Sequence, residues 1–269
     1  MKLGIIAGNR LLPIVLAKAI KKQNPQIELV AFCFNNETSG LIKKYADRTY
    51  WFSIGSLGVL RDAINKEGLS DCIMAGQITP LRIFNRKKWD SELLKLVEET
   101  KDMRPHTIFS NIIKYLEQHG VKFIDSTAYL KESLAQEGVM NGLSYPGGVK
   151  EDIEFGAKII SRFADLDIGQ TIAVKNKSVV AVEALEGTDN TIKSASRRAG
   201  TGMVVLKFSK VNQDLRFDVP VVGIKTLSLL KGTRASALVL EAGKVLILEK
   251  AEFLNLCTKY SIPVIGINR

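Results

Sequence analysis

Residues 2–126 alternate apolar strands with helical segments, and this alternation constrains the fold more than any other feature of the chain. Runs such as LGIIAG, ELVAFCF and DCIMAGQI have the near-continuous apolar character of strands buried on both faces. Helical runs such as LLPIVLAKAIKKQ and VLRDAINKEG lie between them, and Gly68 is placed to end the second. This alternation predicts an α/β fold with an N-terminal Rossmann-like domain built on a parallel sheet.

Ligands of such a sheet bind outside the carboxyl ends of its strands. The residues that follow the first and fourth predicted strands are therefore substrate-binding candidates: Gly8, Asn9, Arg10, Gly76 and Gln77. A glycine turn that leads into a helix can receive a nucleotide phosphate. The motif G-x-G-x-x-G is absent, so a dinucleotide fingerprint is not supported, and an ordinary strand-to-helix turn remains the alternative.

A segment rich in glycine and proline interrupts the alternation after residue 130. We therefore divide the chain into a Rossmann-like domain of residues 1–130, a linker of residues 131–150 and a second domain of residues 151–269. The second domain contains a helix, EDIEFGAKIISRFADL, and more strand than the first. It is predicted to be a mixed α/β domain.

The segment DIGQTIAVKNKSVVAVEALEGTD, residues 167–189, reads as two strands around a turn at Lys175, Asn176 and Lys177, followed by a helix start. Its second half places Glu183 in an otherwise apolar strand, followed closely by more polar residues: Glu186, Thr188 and Asp189. Such a group could hold a hard cation such as Mg²⁺, or surround a phosphate. The alternative is a salt-bridged glutamate on an edge strand, followed by a Thr/Asp helix cap.

A second cluster lies in RFDVPVVGIK. Asp218 interrupts an apolar run, and Pro220 restricts Val219 to extended geometry, so Asp218 could face a cleft where a strand begins. Lys225 could offer an ammonium group to phosphate. The alternatives are an aspartate that caps a turn and an ordinary surface lysine.

Composition narrows the classes of function. The chain has three scattered cysteines and two histidines in 269 residues, which argues against a disulfide framework, a zinc site or a Ser-His-Asp triad and favours a reduced, cytoplasmic setting. No apolar run approaches the ~20 residues that span a bilayer, and the first residues read as a strand rather than a signal peptide. The net charge of +10 favours an anionic partner, but the basic residues are too dispersed to predict a nucleic-acid groove.

The segments LGIIAGNRLLP, AGQI, DIGQTIAVKNKSVVAVEALEGTD and RFDVPVVGIKTL together resemble the LpxI family of UDP-2,3-diacylglucosamine pyrophosphatases. The resemblance runs in order through nearly the whole chain. It implies a two-domain enzyme of lipid A biosynthesis that hydrolyses UDP-2,3-diacylglucosamine to UMP and 2,3-diacylglucosamine 1-phosphate (lipid X). Water would attack the sugar-side phosphorus, and the lipid product would be held in a chamber between the domains.

The resemblance also implies roles for particular residues. Asp218 lies in the family's DVP motif and would be the catalytic residue. Family members depend on a divalent metal, usually Mg²⁺. Our own hypothesis is that Asp218 acts on metal or water, and that Glu183, Glu186 and Asp189 are further candidates to bind the metal or to support its ligands. The substrate-binding candidates of the second domain are Gln170, Thr188 and Lys225.

A substrate with two acyl chains implies a peripheral enzyme at the cytoplasmic face of the inner membrane, where basic residues favour an anionic surface. Whether the protein forms a homodimer is left open. The alternatives of other classes are a non-catalytic nucleotide-sugar or lipid-binding protein, a nicotinamide-dependent oxidoreductase and a nucleic-acid binder.

Overall fold

The computed structural model describes residues 1–79, 86–100, 104–166 and 168–269. Asp167, the first residue of the segment 167–189 discussed above, lies outside the described residues. The chain forms two compact units. The first unit comprises residues 1–130 together with 214–218, and the second comprises residues 131–213 and 219–269.

The first unit is built on a five-stranded sheet with all neighbouring strands parallel. Its strands are β1 (Lys2–Ala7), β2 (Glu28–Phe34), β3 (Arg48–Phe52), β4 (Asp71–Ala75) and β5 (Lys122–Phe123). Their order in the sheet is β3-β2-β1-β4-β5. The helices are α1 (Leu12–Gln23), α2 (Leu57–Glu67), α3 (Ser91–Glu98) and α4 (Pro105–Gln118), with short 3-10 turns at Gly40–Lys44 and Arg86–Lys88. The order reverses between β1 and β4, where ligands of open parallel sheets bind.

The apolar strands form this sheet because both of its faces are covered. Side chains of β1 and β2, such as Ile5 and Phe32, are fully buried. Gly68 ends α2 in the left-handed region at φ 62°, as its position predicted. The prediction of an α/β chain with an N-terminal Rossmann-like parallel sheet is confirmed.

The second unit has a mixed six-stranded sheet in the order β6-β13-β11-β9-β7-β8 and a separate two-stranded sheet, β10-β12. The strands are β6 (Gly138–Val139), β7 (Thr171–Lys175), β8 (Ser178–Val182), β9 (Val204–Lys207), β10 (Val221–Val222), β11 (Ala237–Glu241), β12 (Leu246–Ile247) and β13 (Val264–Ile267). The helices are α5 (Gly147–Asp165), α6 (Gly187–Ala199), α7 (Ile224–Gly232) and α8 (Lys250–Lys259), and a 3-10 turn lies at Lys131–Ser133. The mixed α/β prediction is confirmed.

The predicted hairpin is present as β7 and β8, joined by Asn176 and Lys177, which both have positive φ. The buried carboxylate of Asp152 on α5 accepts hydrogen bonds from both backbone amides, at 3.0 and 2.6 Å. This contact fixes the turn against the helix.

Two segments belong to a different unit from the one that the sequence pattern suggested. Residues 131–150 join the second unit, because β6 pairs with β13 and α5 already begins at Gly147. Residues 214–218 join the first unit, although the sequence suggested that Asp218 belongs to the second domain. The chain returns to the first unit over these five residues because they make backbone and side-chain contacts there, described below.

Candidate functional site

The loops after β1 and β4 meet at the reversal of strand order. The backbone amide of Gly8 donates to the carbonyl of Ala75 at 2.8 Å, and that of Asn9 donates to the carbonyl of Gln77 at 2.7 Å. A Cβ atom at Gly8 would lie 2.4 Å from the Gln77 carbonyl oxygen, and one at Gly76 would lie 2.6 Å from that of Asn9. Both glycines are therefore required by the close approach of these loops, and the predicted candidates of the first domain come together at one edge.

Asn9 is held by two residues that the sequence reasoning missed, Glu37 and Thr79. Its Nδ2 atom donates to Glu37 Oε2 at 2.5 Å and to Thr79 Oγ1 at 3.3 Å. The same Glu37 oxygen accepts from the backbone amide and the hydroxyl of Thr79, both at 3.1 Å. Asn9 Oδ1 is buried and has no hydrogen-bond partner within the described part of the chain. A ligand donor at this edge could therefore satisfy it.

Arg10 follows directly and is exposed, with a φ of 66° that side chains seldom adopt. It belongs to the same turn as Gly8 and Asn9, and its exposed side chain can meet an anionic group from solvent.

Asp218 lies in the half-buried segment of residues 214–218, which packs on the first unit. Its backbone amide donates to the carbonyl of Asp214 at 2.9 Å, which closes a short turn. The ring of Phe217 lies 5.2 Å from that of His106 and 5.9 Å from that of Phe109, both on α4. Asp218 is the last residue of this segment of the first unit, and the second unit resumes at Val219.

Glu183 lies one residue beyond the end of the edge strand β8, not within a strand as the alternation suggested. Its carboxylate accepts from the Thr188 hydroxyl at 3.2 and 3.3 Å. The Nζ atom of Lys207, at the end of β9, donates in turn to Thr188 Oγ1 at 2.6 Å. Lys207 is only 6% exposed. Lys207, Thr188 and Glu183 thus form a chain of ammonium, hydroxyl and carboxylate at one end of the second sheet.

The other candidates of the second unit are engaged in local contacts. Glu186 precedes α6 and accepts from the backbone amide of Ala184 at 3.2 Å. Asp189, in the first turn of α6, pairs with Lys225 Nζ at 2.6 Å. Gln170 Nε2 donates to Gln213 Oε1 at 3.0 Å. The structure therefore brings Thr188 together with Glu183, and Lys225 together with Asp189.

The described residues contain no group of three or more histidine, cysteine, aspartate or glutamate side chains arranged to hold a metal ion. Mg²⁺ is commonly held by one or two carboxylates together with substrate phosphates, rather than by a cage of protein ligands. Single carboxylates such as those of Asp218 and Glu183 are oxygen ligands of the kind that Mg²⁺ takes, and a preformed all-protein cage is not present among these residues.

The three cysteines are buried, and none of them is a candidate nucleophile. Loss of solvent raises the pKa of Cys33, Cys72 and Cys257 to about 12. All three thiols therefore stay protonated near neutral pH, and the thiolate is the nucleophilic form.

Several apolar side chains are exposed around the Glu183–Thr188–Lys207 network. Leu185, two residues after Glu183, is fully exposed, and Leu166 and Ile168 are 68% and 51% exposed. The Cβ position of Gly169 lies 2.1 Å from the carbonyl oxygen of Glu183, so the loop that carries Ile168 runs beside the network. Polar groups and exposed apolar groups therefore lie at the same end of this unit.

Two domain descriptions match the chain in succession. Residues 2–133 match the LpxI N-terminal domain, and residues 136–265 match the LpxI C-terminal domain. The chain belongs to the LpxI family.

A curated LpxI relative matches end to end. This chain is 24% identical over 281 residues to the UDP-2,3-diacylglucosamine pyrophosphatase LpxI of Caulobacter vibrioides, and the match covers 99% of this chain and 98% of the relative. The family resemblance in the sequence is confirmed.

Solved structures share less with this LpxI chain. An ADP complex of N5-carboxyaminoimidazole ribonucleotide synthetase is 13% identical with a TM-score of 0.29, over 73% of this chain and 34% of the other. Phosphoribosylglycinamide synthetase from Anaerococcus prevotii is 13% identical with a TM-score of 0.26, over 71% and 34%. The LpxI chain thus covers about a third of each of these proteins.

Sequence reasoning missed four polar residues of this LpxI chain: Glu37, Thr79, Lys207 and Ser126. Glu37 follows β2 at the same sheet edge as Asn9, so the rule that selected the loops after the first and fourth strands would have found it. Lys207 ends the apolar run MVVLK, which is the kind of signal that selected Glu183. Ser126 gave no signal, because its contacts form only when distant segments pack.

Proposed function

We propose that the chain hydrolyses the pyrophosphate bond of UDP-2,3-diacylglucosamine to give UMP and lipid X, a step of lipid A synthesis. The observation that carries this proposal is the successive match of both LpxI domains over nearly the whole chain. Hydrolysis at the sugar-side phosphorus adds the oxygen of water there and breaks the bond to the bridging oxygen, which leaves with UMP. The proton of the attacking water passes to a base or to solvent.

The loops after β1 and β4 would bind the nucleotide part of the substrate. The Gly8 and Gly76 turns bring the two loop backbones together at the sheet edge, and Gln77 shares this edge. Buried Asn9 Oδ1 offers an acceptor for a uracil N–H or a ribose hydroxyl. Arg10 offers a charge to the phosphates from the same turn.

Asp218 would be the catalytic carboxylate. It can accept the proton of the attacking water or orient that water toward phosphorus. A divalent cation such as Mg²⁺, held by Asp218 and the substrate phosphates, would neutralise the charge that develops on the leaving phosphate. Glu183, Glu186 and Asp189 remain metal candidates, although each already accepts a contact from its own unit.

The second unit would contact the lipid part of the substrate. Lys207 would offer an ammonium group to phosphate, and Thr188 would offer its hydroxyl if that group turned from Glu183, beside exposed Leu185, Leu166 and Ile168. Lys225 is an additional phosphate candidate with an exposed side chain, and Gln170 lies near the same loops. A headgroup and its acyl chains require this combination of polar donors and apolar surface.

We further propose that the protein works at the cytoplasmic face of the inner membrane without spanning it. No helix in the described ranges is long and apolar enough to cross a bilayer. The net charge of +10 would favour an anionic surface, at about 1 kcal/mol per well-placed Lys or Arg. Binding to vesicles with anionic lipid should weaken as salt is raised, and salt-independent binding would count against this electrostatic attraction.

The direct test is incubation of the purified protein with UDP-2,3-diacylglucosamine and Mg²⁺ in ¹⁸O-labelled water, with a parallel sample in excess chelator. The proposal predicts metal-dependent UMP and lipid X, with the label in lipid X. Label in UMP would mean that water attacks the uridine-side phosphorus, and the hydrolysis itself would still be supported. A folded sample that binds substrate but forms no product with any divalent metal would favour a non-catalytic binding protein.

A further inference from the structure

The five residues from Asp214 to Asp218 return to the first unit and are anchored there at several points. The backbone amide of Ser126 donates to the carbonyl of Leu215 at 2.9 Å. The hydroxyl of Ser126 lies 2.9 Å from the carbonyl oxygen of Arg216 and 2.6 Å from that of Met74. Ser126 is 1% exposed, so water cannot replace these contacts. One buried side chain therefore touches both the anchored segment and strand β4.

The contact with Met74 relates the anchored segment to the loops at the sheet edge. Met74 is the second-last residue of β4, and Gly76 and Gln77 follow directly. Arg216 precedes Asp218 by two residues. Ser126 thus couples the backbone that carries the candidate catalytic carboxylate to the strand that carries the candidate nucleotide loop.

The side chain of Arg216 provides a second anchor. Its Nη1 atom contacts both carboxylate oxygens of Glu117 on α4, at 3.1 and 3.2 Å. Its Nε and Nη2 atoms contact the carboxylate of Asp214, at 3.0 and 2.8 Å. The hydrogen bond from Arg216 holds the pKa of Asp214 below its ordinary value. The planar guanidinium of Arg216 thus binds two carboxylates at once, and the single ammonium group of a lysine could not reproduce this geometry.

We propose that Ser126 and Arg216 are positioning residues that hold Asp218 at the carboxyl edge of the first sheet, in register with the Gly76–Gln77 loop. This inference rests on the proposed function, because Asp218 is taken as the carboxylate that acts on water or metal. Neither residue touches the substrate in this account. Each acts through the backbone of residues 214–218.

The test compares Arg216→Gln, Arg216→Lys and Ser126→Ala with the wild-type protein in steady-state hydrolysis of UDP-2,3-diacylglucosamine. We expect kcat to fall by about 10–100-fold in Arg216→Gln and Ser126→Ala, with KM within about twofold, because misplacement of a catalytic group by ~1 Å has an effect of this size. Arg216→Lys should retain an intermediate kcat, since it keeps the charge without the fork.

The matched control is Arg61→Gln. Arg61 also pairs with two carboxylates of the first unit, Asp62 and Glu92, but it lies on α2 and not in the anchored segment. Its loss should leave kcat within about twofold. An equal loss of kcat in Arg61→Gln would mean that any broken ion pair of this unit has the same effect, and it would overturn the assigned role.

Two further readouts separate positioning from stability. In an Asp218→Asn background, Arg216→Gln should cause no additional loss of kcat, because a residue that acts through Asp218 has nothing left to position. Amide hydrogen exchange over residues 214–218 should become faster in Arg216→Gln, with the rest of the first unit unchanged.

The failures of the two proposals are distinguishable. A folded wild-type protein that forms no product refutes the proposed function, and this inference with it. An active wild type whose Arg216→Gln and Ser126→Ala variants keep full kcat overturns the positioning role alone. If Arg216→Gln does not fold, Arg216→Lys and Ser126→Ala decide the question on the same criteria.

Discussion

The Nζ atom of Lys207 lies 2.6 Å from the Oγ1 atom of Thr188, at the end of a strand whose four residues are all buried. The hydroxyl of Thr188 in turn donates a hydrogen bond to the carboxylate of Glu183. A buried ammonium group is expensive to desolvate, and the hydrogen bond to Thr188 offsets part of that cost.

Replacing Lys207 by Met should raise KM for UDP-2,3-diacylglucosamine by about 10–100-fold, the effect of losing a hydrogen bond from a charged donor. The substitution keeps most of the apolar length of the side chain and removes the ammonium group, with its charge and its N–H donors. Lys193→Met, an exposed lysine of α6, is the matched control and should change KM by less than about twofold. An unchanged KM in Lys207→Met would restrict the network to a structural role.

Replacing Asp218 by Asn should reduce kcat by at least about a thousandfold, because an amide neither accepts the proton of water nor balances a metal charge. Folding should be preserved, since Asn keeps the size of the side chain and Asp218 is only half-buried. Kinetics and thermal unfolding of the same sample check this. A variant with wild-type kcat would remove Asp218 from the mechanism.

Replacing Gly8 by Ala should destabilise the first unit by about 1–3 kcal/mol, the usual effect of forcing atoms into a packed site. The added Cβ would lie 2.4 Å from the carbonyl oxygen of Gln77, and backbone cannot swing away as a side chain can. Gly40→Ala is the control, because nothing lies within 4 Å of its Cβ position. Chemical denaturation of both variants measures the difference, and equal stabilities would contradict the close approach of the two loops.

Replacing Leu185 by Ser should raise KM for the diacylated substrate by about 3–20-fold, as expected when a leucine that contacts an acyl chain is lost. Leu185 is fully exposed, so the fold should be unaffected. Val59→Ser, at an exposed valine of α2, controls for lost surface apolarity. The same KM change in both variants would argue against an acyl contact at Leu185.

The buried carboxylate of Glu67 should make the stability of the protein depend on pH. The hydroxyl of Tyr50 donates to it, and together with Lys2 and Arg48 it holds the pKa of Glu67 below the ordinary value of 4.5. A lowered folded pKa means that this stabilisation is fully present above pH ~4.5 and is lost as the pH falls through the folded pKa. Unfolding of the wild type and of Glu67→Gln between pH 3 and pH 7 tests this.

Glu67→Gln should be less stable at pH 7 by about 1–3 kcal/mol, the effect of a buried partner left unsatisfied. The difference from the wild type should shrink toward pH 3. A difference that stays constant with pH would show that the charge of Glu67 is not its source.

Local sequence determined the elements of this protein. Apolar strands such as that of Ile5, the cap at Gly68 and the turn at Asn176 and Lys177 follow from periodicity and backbone preference within a few residues. These interactions join residues that are close together in sequence, so the local sequence pattern is enough to predict them. The rule that ligands bind at the carboxyl ends of parallel strands also selected Gly8, Asn9 and Gln77, because parallel strands end at a common edge.

Tertiary structure decided which elements share a unit and which side chains meet. The pairing of Arg216 with Glu117 joins residues 99 positions apart, and Asp218 consequently belongs to the first unit rather than to the sequence half in which it lies. Lys207 meets Thr188 because β9 pairs with β7, and α6 packs against β7. Such contacts depend on the packing of whole elements, for which no local pattern in the chain carries a signal.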